Sequence, residues 1–128
     1  MQQARRPTVL IAEDDGVTRA ILRQILKQGD YEVIGEASDG EAAVAMCADH
    51  LPDIVCLDVM MPKLDGIGAL KAIMASNPQT IVLMITMDAA AATVNEALAH
   101  GACGYVLKPF NVGKILDTLT FALKRPAA

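Results

Sequence analysis

The sequence predicts an α/β domain built on a doubly wound, five-stranded parallel sheet. Three observations carry the prediction. Short apolar runs rich in strand formers recur five times, each is followed by a segment of helical spacing or propensity, and four of the five end abruptly in a polar residue. Strands and helices that alternate along one chain give parallel strands joined by right-handed crossovers, with helices on both faces.

Taken in order, Thr8 to Ala12 is a short buried strand that runs straight into Glu13-Asp14-Asp15. Val17, Ala20, Ile21 and Ile25, with Leu22 and Leu26 on the flank, follow helical spacing up to Gly29, placed as a C-terminal cap. Tyr31 to Ala37 is the second strand, and an edge, because Glu32 and Glu36 interrupt its apolar positions. Ser38 followed by Glu41 reads as a capping box that opens a second helix from Gly40 to about Ala48, and Pro52 closes the link to the third strand. Ile54 to Leu57 is apolar throughout, as a strand covered on both faces must be, and it stops at Asp58. Met60-Met61-Pro62 and Asp65-Gly66 punctuate the loop that follows. Ile67, Leu70 and either Ile73 or Met74 stripe the third helix, which Asn77-Pro78 ends. The fourth strand, Thr80 to Thr86, is apolar until its terminal hydroxyl. Ala89 to His100 is helical by propensity, with Gly101 as its stop. Cys103 to Leu107 is a fifth strand that ends at Lys108-Pro109, and Asn111 caps a last helix whose Val112, Ile115, Leu116, Leu119 and Leu123 face inward.

Composition narrows the function classes. A 128-residue chain that is 53% hydrophobic suits one domain with a full core. Eleven basic residues against 15 acidic ones, with two Tyr and two Phe as the whole aromatic content, supply neither a phosphate-neutralising patch nor a stacking platform. Direct nucleic-acid binding is therefore not expected. Cys47, Cys56 and Cys103 are odd in number and lack metal spacing, so they read as reduced core thiols that fit a cytoplasmic location. No run approaches the ~20 residues of a membrane span, so no membrane insertion is expected. The expected organisation is a flexible N-terminal tail over 1–7, one domain over 8–124 and a short C-terminal tail over 125–128.

In a parallel sheet the four polar strand endings share one rim, where open α/β sheets bind ligands. That rim would gather the carboxylates of Glu13, Asp14 and Asp58, the Thr86 hydroxyl and the Lys108 ammonium. Three carboxylates repel and one lysine does not neutralise them, so a hard divalent cation is the natural guest. Few protein ligands and open positions favour Mg2+, which keeps waters and shares phosphate oxygens, over a Ca2+ cage. The cation, Lys108 and Thr86 would stabilise phosphoryl oxygens while a carboxylate attacks phosphorus, and Asp58 is best placed as that nucleophile. The charge of the resulting aspartyl phosphate would pull Thr86 and its loop inward.

These residues carry a family likeness. Glu13-Asp14-Asp15, the loop from Asp58 through Met60, Met61, Pro62 and Lys63 to Asp65-Gly66, Thr86, and the run Gly104-Tyr105-Val106-Leu107-Lys108-Pro109-Phe110 together resemble the receiver domain of bacterial two-component response regulators. The likeness extends over residues 8 to 124. It implies a flavodoxin-like strand order 2-1-3-4-5 and phosphoryl transfer to Asp58 from a sensor histidine kinase or a histidine phosphotransfer protein. It also implies Mg2+ held directly by Asp14, through water by Glu13, and by Asp58 and the Met60 main-chain carbonyl. The alternative register makes Asp14 and Asp15 the acidic pair, with Asp15 otherwise an N-cap; the four residues between Glu13-Asp14 and Arg19 favour the first. By the same likeness Lys108-Pro109 is cis, and Tyr105 swings inward as Thr86 moves, altering the face of the fourth helix, fifth strand and fifth helix that meets a downstream protein.

Such a domain is a self-phosphorylating phosphoacceptor with Mg2+-dependent autodephosphorylation, not a turnover enzyme on an external substrate. Because a few residues only follow the last helix, output is expected through another protein, with a phosphorelay intermediate or phosphate sink as the alternative. An inert pseudo-receiver normally loses one of the acids, the Thr or the Lys, and all are present here. A haloacid-dehalogenase-type phosphohydrolase wants a second acid two residues after the nucleophile, where this chain has Met60. Met87, directly after Thr86, stands where the family usually has a small residue, and its bulk is expected to narrow access to the acyl phosphate.

Overall fold

The computed structural model describes residues 5–124; the parts of the two expected tails at 1–4 and 125–128 lie outside the described residues. The elements are β1 (Thr8–Ala12), α1 (Gly16–Gln28), β2 (Glu32–Ala37), α2 (Gly40–His50), β3 (Ile54–Leu57), α3 (Gly66–Ser76), β4 (Ile81–Thr86), α4 (Ala91–Ala99), β5 (Gly104–Leu107) and α5 (Val112–Leu123). They form one parallel sheet in the order β2-β1-β3-β4-β5, which puts β2 at an edge and β3 at the centre. The flavodoxin-like order expected from the family likeness is the order observed.

Strand alternation sorts the core into two layers. Leu10, Ala12, Val55, Leu57, Val82 and Met84 point to the face covered by α2, α3 and α4. Val9, Ile11, Ile54, Cys56, Leu83 and Ile85 point to the face covered by α1 and α5. All four β3 residues are at most 1% exposed, and burying each aliphatic side chain there is worth about 1.5–3 kcal/mol. β3 is therefore a fully buried platform at the centre of the sheet, and the loop after Leu57 starts from it.

Three helices differ from the expected detail. In α1 the buried stripe is Leu22, Ile25 and Leu26, whereas Val17 and Ile21 are 69% and 49% exposed. Ile25 is buried as expected, but its neighbours on the sheet side are the flanking Leu22 and Leu26 rather than Val17 and Ile21. In α2 the cap is Asp39, whose Oδ1 accepts from the Ala42 N–H at 2.8 Å, so the capping box set at Ser38 falls one residue early. The helix begins at Gly40, and its cap must be the residue immediately before. In α5, Ile115, Leu119 and Ala122 are buried, while Val112 and Leu123, the first and last residues of the helix, are 43% and 39% exposed.

Gly29 does end α1, but with φ of −83°. Its reason is space: a Cβ there would run into the Leu116 side chain. The left-handed turn falls on Asp30 instead, and at the end of α4 on Gly101, φ +104°. The Lys108-Pro109 bond is cis. No described helix is long and apolar enough to cross a membrane. Within the segment expected as an N-terminal tail, Arg5 pairs with Asp53 at 3.0 Å and the Pro7 carbonyl accepts from Glu32 N–H at 2.9 Å.

Candidate functional site

The acids of the site stand on backbone that continues the sheet ladder one residue past each strand. Glu13 N–H donates to the Ala37 carbonyl at 2.9 Å and Asp58 N–H to the Ala12 carbonyl at 3.1 Å. The loop after Asp58 then folds back on it: Gly66 N–H donates to the Val59 carbonyl, and a Cβ on Gly66 would collide with the Asp58 carbonyl oxygen. Only glycine allows that approach. The result is a cavity of about 440 Å³ lined by Glu13, Asp14, Asp15, Thr18, Asp58, Met60, Met87 and Lys108.

One carboxylate oxygen each from Glu13, Asp14 and Asp58 lies within 4.8 Å of the others. Asp15 is engaged elsewhere: its carboxylate caps α1, accepting from the Thr18 N–H at 3.0 Å and from its hydroxyl. Those bonds from Thr18 hold the Asp15 carboxyl below the usual range. Lys108 Nζ bridges Glu13 Oε1 at 2.5 Å and Asp58 Oδ2 at 2.9 Å, and Asp58 Oδ1 accepts from Met60 N–H at 3.1 Å. Burial pushes the Glu13 carboxyl up, with the Asp58 charge adding to it, against the bonds from Lys108 and Asp15 N–H. Burial opposes the Lys108 ammonium too, but its bonds to Glu13 and Asp58 outweigh that and raise its pKa.

Glu13 and Asp58 are 2% and 5% exposed, so their charges meet little screening, and a single ammonium sits between them. Asp14 is exposed at the mouth. Three hard oxygen donors with an open side toward water match the needs of Mg2+ better than those of a softer or fully caged ion. The donor set fits.

Thr86 and Tyr105 are placed behind this cavity rather than on it. Thr86 is fully buried, and its Oγ1 accepts from the Asp88 N–H at 3.2 Å. Tyr105, half-buried on β5, donates its hydroxyl to the Asp88 carbonyl at 2.6 Å. Both residues thus hold the same loop position, Asp88. Arg19 and Glu36 were also missed. Arg19 served there as a spacing marker and Glu36 as an edge-strand interruption, yet Arg19 Nη1 donates to the Glu13 carbonyl at 2.7 Å and Arg19 Nε to Glu36 Oε1 at 3.2 Å. An arginine in the first turn of a helix that starts beside an acidic pair was the available signal.

Residues 9–120 match the family described as the response regulator receiver domain. The chemotaxis protein CheY of Listeria monocytogenes is 37% identical over 116 residues, which are 91% of this chain and 98% of that protein. The transcriptional regulatory protein PdtaR of Mycobacterium tuberculosis is 38% identical over 117 residues, and there 91% of this chain spans 57% of the relative. Among solved structures, the CheX-CheY-BeF3-Mg2+ complex from Borrelia burgdorferi contains a chain that superposes with a TM-score of 0.90 at 34% identity, covering 92% of this chain and 90% of that one. The central strand ending in a buried aspartate, the acidic cluster at the same rim and the match over nearly the whole chain agree: the protein belongs to the response regulator receiver domain family of two-component signalling.

Proposed function

We propose that Asp58 accepts a phosphoryl group from the phosphohistidine of a sensor histidine kinase or a histidine phosphotransfer protein, and that the phosphorylated domain acts on a partner protein through the face of α4, β5 and α5. The observation that carries this reading is the setting of the Asp58 carboxylate. It lies in an open cavity with one oxygen on Lys108 Nζ and the other on Met60 N–H, beside two more carboxylates.

Asp58 forms the new O–P bond as the P–N bond of the donor breaks, and the leaving imidazole keeps its nitrogen electron pair and takes up a proton. Lys108, held charged by its neighbours, meets the phosphoryl oxygens as they crowd toward Asp58. Mg2+, held by Asp14, Glu13, Asp58 and the Met60 carbonyl, would supply charge neutralisation of those oxygens. Thr86 receives an N–H from Asp88 and keeps its own hydroxyl proton to give. Turning that proton to a phosphoryl oxygen draws on the loop whose carbonyl Tyr105 also holds, which couples the new charge to β5. The chemistry is that of a self-phosphorylating acceptor that later loses the group to water, not of an enzyme turning over an external substrate. A cytoplasmic kinase domain as donor makes the cytoplasm its place of action. The Borrelia relative is solved in complex with CheX, in keeping with a protein target here.

The test is intact-protein mass after incubation with Mg2+ and acetyl phosphate. One added phosphoryl group is expected, absent in Asp58→Asn and in EDTA. No gain, together with no Mg2+ binding, would make the domain an inert pseudo-receiver and refute the reading.

A further inference from the structure

The turn between β1 and α1 is three residues long, Glu13 to Asp15, and the peptide group that joins Glu13 to Asp14 decides where the Asp14 carboxylate stands. Peptide planarity ties the direction of the Glu13 carbonyl to the path of the chain into Asp14. That carbonyl is gripped by Arg19 Nη1 at 2.7 Å, while Glu13 N–H is gripped by the last residue of β2. Arg19 is itself aimed: Nε donates to Glu36 Oε1, whose other oxygen accepts from Arg23 Nη1 at 2.8 Å. The side chains of Arg19 and Glu36 are 25% and 28% exposed, so this fork is partly withdrawn from water and geometrically defined.

We propose that Arg19, aimed by Glu36, is a positioning residue that sets the Glu13-Asp14 peptide and thereby the affinity of the acidic pair for Mg2+. Arg19 does not line the cavity. It acts by holding a carbonyl, which needs the two-pronged guanidinium rather than a positive charge as such. A lysine at 19 carries its donors on a single nitrogen and does not reproduce the planar fork that sends Nη1 to the Glu13 carbonyl and Nε to Glu36. The inference rests on the Mg2+-dependent reading of the site.

The experiment measures Mg2+ binding to the unphosphorylated chain by calorimetry, with thermal unfolding in EDTA alongside. Arg19→Ala and Arg19→Lys are expected to weaken Mg2+ about tenfold, the scale seen when groups that orient metal ligands are removed. Lys27→Ala, which deletes an exposed charge on the same helix, keeps wild-type affinity. With acetyl phosphate the half-saturating Mg2+ concentration rises by the same factor, while the rate at saturating Mg2+ stays within about twofold, a split a general loss of folding does not give. Wild-type affinity in both Arg19 variants overturns the inference, as does a loss in Arg19→Ala that Arg19→Lys restores, which would assign the effect to charge. If Arg19→Ala does not fold, Glu36→Gln must show a smaller loss in the same direction, and unchanged affinity there is equally fatal. Wild-type protein that binds no Mg2+ defeats the reading of the site itself, an outcome distinct from unchanged variants.

Discussion

β3 has an aspartate at each end, and the two could hardly be used more differently. Asp53, just before the strand, accepts from both Arg5 guanidinium nitrogens at 3.0 and 3.1 Å, from Thr8 N–H at 2.8 Å and from Thr8 Oγ1 at 3.1 Å. Its own N–H goes to the Thr8 hydroxyl. Burial works against that carboxylate, yet the bonds from Thr8 and Arg5 outweigh it and hold its pKa below the usual range. Asp58, just after the strand, is more deeply buried and shares a single ammonium with Glu13, with Asp14 close by. One rim is matched donor for acceptor; the other carries an excess of negative charge at the end of the central strand. Residue type alone does not separate the two carboxylates here. The ratio of cations to carboxylates does.

The harshest way to break the contrast is Lys108→Ala, which leaves two buried carboxylates facing each other. In EDTA this should cost about 3–5 kcal/mol of stability, the penalty for removing one partner of a buried ion pair. Mg2+ should restore a large part, since a ligand at 100 times its Kd adds about 2.7 kcal/mol. Denaturant unfolding with and without Mg2+ reads both numbers, and equal stability of the variant and wild type in EDTA would show that the ammonium is not what holds the acids together.

Much of this contrast could be read from the chain before any coordinates. Apolar runs that stop at Asp58, Thr86 and Lys108 announced both the sheet and the rim where its polar groups gather, because a parallel sheet covered on both faces leaves polar residues nowhere else to go. What stayed hidden depended on rotation and on long-range pairing. Val17 and Ile21 against Leu22 and Leu26 is a choice of about one helical position, which only the sheet beneath decides. Asp53, 45 residues from Thr8, gave no local sign of being anything but a turn residue. Glu36 looked like a flaw in an edge strand, and its meaning appears once α1 brings Arg19 and Arg23 across it.

At the balanced rim, Asp53→Ala should cost about 1–3 kcal/mol, because the Thr8 groups lose a partly buried acceptor. Phosphorylation at the opposite rim should be unchanged. The pH dependence sharpens this. A depressed carboxyl stabilises the fold above its unfolded pKa of 3.8 and loses that contribution as pH falls through the folded value. The deficit of Asp53→Asn should therefore shrink in urea titrations as pH drops below 3.8. Glu13 has the opposite sign: its pKa is raised, so its contribution is present below 4.5 and lost as pH rises through the folded value.

A gentler change bears on the open rim alone. Met87 is 69% exposed and lines the cavity, so Met87→Ala should widen the approach for acetyl phosphate and speed its reaction about threefold, under 1 kcal/mol of barrier. An unchanged rate would acquit the side chain.

The smallest effect is expected from Arg5→Ala. The Arg5 side chain is 70% exposed, and exposed ion pairs are worth about 0.2–1 kcal/mol. Removing it leaves Asp53 with the Thr8 N–H and hydroxyl, both at positions less open to water. The variant should thus sit at the low end of that range, with its loss fading further in high salt as screening removes what the guanidinium adds. Thr8→Ala, which also strips the Asp53 N–H of its acceptor, should cost more than Arg5→Ala. The reverse order would mean that the matched rim is held by its charge pair, as the opposite rim is, and the distinction between the two ends of β3 would narrow to the number of carboxylates alone.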